Sequence, residues 1–212
     1  MKLPVNFLPI LVLLFTACTN NSNQEIQDSN DQKPDSSINS IPLPKPVPNS
    51  IETIQKNYEA VHNLKFQGLL DSTGFKYNCN NEVSGTVSYF THAGRLRMIR
   101  HQYNEYDHHE AEDYYYLLDS TLFFVYKKEM LWSFESGPQG ATKDNFTEQR
   151  VYLAGQEPIK CLEKTYVIRS HANNNPDPDD IANREIKCKG IDVLKPLQQL
   201  LKYRGKGTSG CL

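Results

Sequence analysis

Residues 113–126 decide the fold: Asp113-Tyr114-Tyr115-Tyr116-Leu117-Leu118, then the pair Asp119-Ser120, then Leu122-Phe123-Phe124-Val125-Tyr126. Two aromatic and aliphatic runs flank a short polar pair. Such runs fit a pleated, half-buried surface, and Asp and Ser bend a chain by bonding to their own backbone. The stretch predicts a β-hairpin. Upstream, Ser84 to Thr91 alternates through Val87 and Tyr89, and His92-Ala93-Gly94 turns the chain back as Arg95 to Arg100. Earlier still, Lys65 to Leu70 reads as a strand that meets an Asp71-Ser72-Thr73-Gly74 turn and continues as Phe75-Lys76-Tyr77. Downstream, Glu135 to Asn145 is polar and predicts an exposed loop. Thr147 to Leu153 and Ile159 to Arg169 predict two strands around Ala154-Gly155-Gln156, before a polar loop from His171 to Ala182. Hairpins following one another in this way predict a meander.

A helix is expected at each end of these strands. Asn49-Ser50 can cap one that runs to about His62, with Ile51, Ile54, Tyr58 and Val61 forming its buried stripe. Leu194, Leu197, Leu200 and Leu201 form the stripe of a short last helix, and Pro196 is expected in its first turn, where no amide is needed. The fold class that results is mainly β (α+β): an antiparallel β-meander sheet with an N-terminal helix and a short C-terminal helix. Three segments resemble a pattern shared by small bacterial envelope proteins of unassigned function: the helix Ile54 to Val61, the hairpin Tyr114 to Tyr126, and the hairpin Arg150 to Ile159. The resemblance implies the meander and brings no activity with it.

The chain begins as an exported protein would. Lys2 is followed by an apolar run from Leu3 to Phe15, which is shorter than the roughly 20 residues that cross a bilayer. Phe15-Thr16-Ala17-Cys18 resembles the lipobox of bacterial lipoprotein signal peptides, although Leu is commoner at the Phe15 position. The resemblance implies cleavage after residue 17 and acylation of Cys18, and two or three acyl chains anchor a protein stably. Residues 1–17 are then a lipoprotein signal peptide, 18–49 a tether and 50–212 a single β-rich domain. The tether is rich in Asn, Ser and Asp and ends in Ile41-Pro42-Leu43-Pro44-Lys45-Pro46-Val47-Pro48, which favours an extended polyproline spacer. Its Asn-rich start is similar to Bacteroidota lipoproteins, and Thr19 after the lipid cysteine fits an outer-membrane destination. A net charge of -2 gives no electrostatic reason to expect a nucleic-acid partner.

Four further cysteines, Cys79, Cys161, Cys188 and Cys211, form an even set in a domain expected outside the cytoplasm. Two disulfides follow, with three connectivities open. The pairing Cys161–Cys188 closes the His171 to Ala182 loop, and Cys79–Cys211 pins the Gly-rich tail, so this pairing is preferred. The spacings fit no zinc motif and there is no CxxC pair.

Candidate chemistry is sparse. Glu105, Asp107, His108, His109, Glu110, Glu112 and Asp113, with His101 nearby, carry the residue types that bind a divalent ion. Adjacent histidines on a strand point to opposite faces, however, and a charged link between strands is equally a solvated loop. Tyr114, Tyr115 and Tyr116 with Phe123, Phe124, Tyr126 and Trp132 offer aromatic surface for a glycan or peptide, though alternation sends part of the set into the core. No GxSxG, HExxH or glycine-rich phosphate loop occurs. Asp71-Ser72-Thr73 and Asp119-Ser120-Thr121 are similar to Bacteroidota O-glycosylation sites and also read as plain turns. The expected protein is a membrane-anchored envelope lipoprotein with a β-rich binding or structural domain, more readily a binder of an envelope protein, peptide or glycan than an enzyme. No cofactor is expected. The alternative is a metal-dependent envelope hydrolase using the His101–Asp113 region.

Overall fold

A computed structural model describes residues 47–212. Cys18, the signal peptide and nearly all of the tether lie outside the described residues. The order of elements is α1 (Ile51–Phe66), β1 (Asp71–Cys79), β2 (Val83–His92), β3 (Arg95–Glu105), β4 (His109–Leu118), β5 (Thr121–Phe134), β6 (Thr142–Ala154), β7 (Glu157–Arg169), β8 (Arg184–Glu185) and α2 (Ile191–Lys202). A single 3-10 turn, Pro178–Asp180, interrupts the loop before β8. The eight strands pair antiparallel strictly in chain order, so the sheet is a meander between two helices.

The first helix starts where Ser50 caps it: the Ser50 hydroxyl accepts from the Thr53 amide at 3.3 Å, and the Thr53 hydroxyl accepts from the Ser50 amide at 3.1 Å. It runs to Phe66, past the expected end at His62. Leu64 to Phe66 therefore do not open a strand. Gly68, at φ 69°, stops the helix in the left-handed conformation, with the Leu69 amide donating to the Leu64 carbonyl and the Gly68 amide to that of Lys65. Asp71 to Gly74 is not a turn either. These residues are the first half of β1, opposite Thr91 to Ser88 of β2. Gly74 serves close strand approach here, since a Cβ would lie 2.2 Å from the Val87 carbonyl oxygen.

The other turns fall close to expectation. Ala93-Gly94 and Asp119-Ser120 carry positive φ, as tight hairpins require. The expected loop from Glu135 to Asn145 shrinks to 135–141, because β6 begins at Thr142 and Ala141 is buried. Pro196 lies in the second turn of α2, not the first. Without an amide hydrogen it leaves the Asp192 carbonyl without its helical donor, and the helix holds through the apolar face it buries.

Each face of the sheet has its own core. On one, Ile54 and Val61 of α1 pack on Met98, Tyr116, Phe123 and Phe124. On the other, Val193, Leu197 and Leu200 of α2 pack on a larger set that includes Tyr89, Ile99, Tyr115 and Val151. The Tyr89 hydroxyl donates to the Leu200 carbonyl at 2.6 Å, which ties α2 to β2. A β-bulge lies near the turn of each of three hairpins, between Phe90 and Thr91, Tyr116 and Leu117, and Tyr152 and Leu153. The second bulge leaves Phe123 unpaired, so that Phe123 and Phe124 both reach the α1 core.

The cysteines pair as preferred. Cys79–Cys211 joins β1 to the tail across 132 residues, and Cys161–Cys188 joins β7 to the segment before α2 across 27. The bridges are nested. The tail lies against β1, with the Asn78 amide donating to the Ser209 carbonyl at 3.4 Å and Gly207 against the Phe75 ring.

Candidate functional site

Strand pairing splits the acidic and histidine cluster instead of gathering it. The expected charged link from Glu105 to Asp113 is mostly strand, and only 106–108 forms the turn. Alternation then places Glu105, His109 and Asp113 on the α2 face, opposite Val83, Leu131 and Lys127, and sends Glu110 and Glu112 to the α1 face. His108 packs on Trp132 at 4.0 Å between ring centres, while Glu105 and His109 approach to 3.8 Å. Asp113 lies four residues along β4 from His109, roughly 13 Å at strand rise. Among the described residues, no three His, Cys, Asp or Glu side chains are placed to hold a metal ion.

His101 and Asp113 do face each other across β3 and β4. Each sits in a structural network. His101 Nε2 shares a 2.8 Å hydrogen bond with the Tyr77 hydroxyl, and its ring stacks on Tyr103 at 4.5 Å. Burial, aided by the charge of Lys127, lowers its pKa to about 4, so the ring is neutral at pH 7. Asp113 is 3 % exposed; its Oδ2 accepts from the Tyr115 hydroxyl at 3.1 Å, and Oδ1 has no partner. Burial raises the Asp113 pKa against the opposing pull of Lys127, whose Nζ lies 3.9 Å away.

The aromatic set divides as alternation requires, and the division creates a surface. Tyr115 enters the α2 core; Tyr116, Phe123 and Phe124 lie under α1. Tyr114 and Tyr126 remain half-buried beside α1, directly opposite each other in the register and 6.1 Å apart at their ring centres. The same register puts Arg100 opposite Tyr114 and Arg150 opposite Tyr126. One row across four strands therefore reads Arg100–Tyr114–Tyr126–Arg150. Each guanidinium lies over its neighbouring ring, Arg100 at 5.7 Å and Arg150 at 5.0 Å.

Both arginines are neutralised in place. Arg100 pairs with Glu112; Arg150 pairs with Glu148 at 3.1 Å and donates to Asn183 at 2.9 Å. Glu148 is buried and also accepts from the Tyr166 hydroxyl at 2.9 Å, with Lys164 Nζ at 3.4 Å. Burial alone would raise its pKa, but the hydroxyls of Tyr166 and Tyr126 and the charges of Lys164 and Arg150 hold it below the ordinary value. Burial pushes the Tyr114 hydroxyl up to about 12. At pH 7 the row thus presents neutral phenols between satisfied ion pairs.

Two clefts adjoin this row on the same face. One, about 470 Å³, lies between α1 and strands β5 and β6, with Tyr58, Phe124, Tyr126, Arg150 and Tyr152 in its walls. The other, about 440 Å³, lies over β3 to β6 and is walled by Gln102, Glu112, Lys128, Met130 and Phe146 among others. Arg100, Arg150 and Tyr152 are not among the candidate site residues of the sequence, and Tyr58 figures there only in the buried stripe of the first helix; their common surface depends on strand register, which no local motif displays.

Trp132 forms a separate aromatic group at the far end of β5. Its indole donates to the Asp107 carbonyl at 2.6 Å, and its ring meets the exposed Phe134 edge-on at 5.3 Å. Asp119-Ser120 is the hairpin turn expected, whereas Asp71-Ser72-Thr73 is exposed strand. Comparison with protein-family models, curated proteins and solved structures finds no match.

Proposed function

We propose that this chain is an envelope lipoprotein, held to the outer membrane through Cys18, whose β-rich domain binds a partner and performs no catalysis. The observation that carries the binding reading is the half-open row Arg100–Tyr114–Tyr126–Arg150 between two clefts. Concave surfaces walled by aromatic side chains and a few fixed polar groups are where ligands are held. The carboxylates nearest the row, Glu112 and Glu148, are committed to ion pairs or a tyrosine hydroxyl, which suits recognition better than proton transfer.

The anchor is supported by the apolar run that ends at Cys18 and by the Asn- and Pro-rich segment that follows. Replacing Cys18 with Ala should abolish labelling by radioactive palmitate and move the protein from the membrane to the soluble fraction. Unchanged partitioning would contradict the anchor. For binding, full-length protein is used as bait on solubilised envelope, beside a Tyr126→Ala variant. Material retained by the wild type and lost with the variant is expected; identical recovery with both would remove the binding reading.

A further inference from the structure

We propose that β1 pairs with β1 of a second copy of this chain, antiparallel about a two-fold axis at Gly74, so that two meanders join into one sheet. The two edges of the sheet differ. The β7 edge is closed at several points. The Ile186 amide donates to the Cys161 carbonyl at 3.0 Å, and β8 pairs with Leu162 and Glu163. Further along, the Asn175 side chain accepts from the Arg169 amide at 2.8 Å and donates to the Arg169 carbonyl at 2.9 Å. The β1 edge is closed at one end only, where the Asn78 amide donates to the Ser209 carbonyl and Cys79 is bridged to Cys211. Pairing with β2 runs without a bulge from Asp71 to Cys79. Backbone direction therefore alternates regularly, and Ser72, Gly74 and Lys76 turn their amides and carbonyls outward as Asn78 does. Among the described residues these outward groups have no partner, and all three residues are exposed. A long edge strand with neither proline nor bulge is a template for another strand.

Register identifies the occupant. Only outward residues exchange hydrogen bonds across the new seam, so Ser72, Gly74 and Lys76 must face one another. An axis at Gly74 sets Gly74 against Gly74 and Ser72 against Lys76, each pair exchanging both backbone bonds. Between them Thr73 faces Phe75, a favourable cross-strand pair that occurs on both sides of the axis. No like charges stand opposite each other. Lys76 is the one charge among the outward residues and would ordinarily blunt an edge, but here it meets a serine. Moving the axis to Thr73 sets Asp71 against Phe75 and Leu70 against Lys76. Moving it to Phe75 sets Ser72 against Asn78, whose amide is already spent on Ser209. The link from α1 into β1 also carries uncovered apolar surface, with Phe66 92 % and Leu69 50 % exposed. The Gly74 axis carries Leu69 towards the Cys79 end and tail of the partner copy. That axis stands perpendicular to the sheet and leaves both α1 helices on one face, so two copies anchored at their N-termini can meet on one membrane. A strand of another protein would have to supply the side-chain matches that this chain already holds.

The test is sedimentation velocity of full-length protein in density-matched detergent over a concentration series. The wild type is expected to reach the mass of a dimer as concentration rises. Ser72→Pro removes an outward amide at an edge position that accommodates proline, so it should keep the protein monomeric while circular dichroism shows the fold retained. Charge changes read the register. Ser72→Glu, set against Lys76, should tighten the dimer about threefold or more, and Ser72→Lys should weaken it by a similar factor. Ser72→Lys combined with Lys76→Glu should restore it. Should Ser72→Pro not fold, the charge series decides, because Ser72 is exposed. A wild type that stays monomeric up to about 100 μM overturns the proposal. A dimer indifferent to the changes at Ser72 does so too. A monomeric wild type that captures an envelope protein lost with Ser72→Pro also overturns it and gives the edge to a different partner. None of these variants touches the tyrosine row, and Tyr126→Ala should leave the dimer in place, so this pairing and the binding reading stand or fall separately.

Discussion

At Gly85 an added Cβ would lie 2.5 Å from the Gln102 carbonyl oxygen and 2.7 Å from the Tyr77 ring. The ring covers the glycine and from there reaches His101. Gly85→Ala should push Tyr77 aside, break that hydrogen bond and cost about 1–3 kcal/mol, visible as a lower Tm in thermal denaturation. An unchanged Tm would sink this account. His101 supplies a pH signature. Its pKa is about 4 in the fold against 6.5 in the unfolded chain, so between those values the unfolded chain binds the extra proton. The stability that the neutral ring contributes is therefore present above pH 6.5 and lost as pH falls towards 4. Asp113 acts with the opposite sign: its raised pKa makes the fold hold a proton longer, so its contribution declines as pH rises above 3.8. Because the windows overlap, the check is a difference. His101→Gln should flatten the plot of Tm against pH between 6.5 and 4, and an unaltered slope would contradict the assignment.

At the scale of elements, the helix α1 forms the wall of the Tyr58–Tyr152 cleft and is held mainly by burial. Ile54 is 0 % exposed and Val61 5 %, while Tyr58 meets Phe124 edge-on at 5.3 Å. Ile54→Ala should cost about 2–5 kcal/mol in denaturant unfolding. A loss far below that range would mean that α1 is held by something other than its core contacts. Much of this architecture was legible: hairpins announced by Ala93-Gly94 and Asp119-Ser120, an N-terminal helix capped at Ser50, and a meander order that short polar turns impose. What escaped had physical causes. Leu64 and Phe66 are apolar and strand-like by type, yet the left-handed Gly68 ends a helix there. Asp71-Ser72-Thr73-Gly74 has turn chemistry, but Gly74 is needed because Val87 comes so close. The tyrosine–arginine row was hidden for a different reason. A bulge between Tyr116 and Leu117 shifts the pairing by one, so turn length alone does not set Tyr114 against Tyr126.

For the whole molecule, the division of labour between the faces rests on how much each helix covers. The α1 helix covers the row Met98–Tyr116–Phe124 and reaches the next row through Lys65, which lies over Tyr114, while α2 and the tail pack on the opposite face. The two disulfides secure that second arrangement, and they should differ in weight. In the chain-entropy account a cross-link across 132 residues restrains the unfolded chain more than one across 27. The expected contributions are about 5 and about 3.5 kcal/mol. Replacing Cys79 and Cys211 together with Ser should lower Tm further than replacing Cys161 and Cys188. The reverse order would show that the shorter bridge does more than restrain the unfolded chain. The nesting has a consequence in time as well as in space. A polypeptide emerges from its N-terminus, so Cys161 becomes available to Cys79 before Cys188 or Cys211 exists as a rival. An oxidant that joins thiols in order of appearance would link the two that the finished fold keeps apart, and thiol–disulfide exchange must then undo the error. Maturation should therefore depend on an isomerase or a reducing shuffle. Without one, a trapped Cys79–Cys161 species should accumulate, readable by peptide mapping under non-reducing conditions.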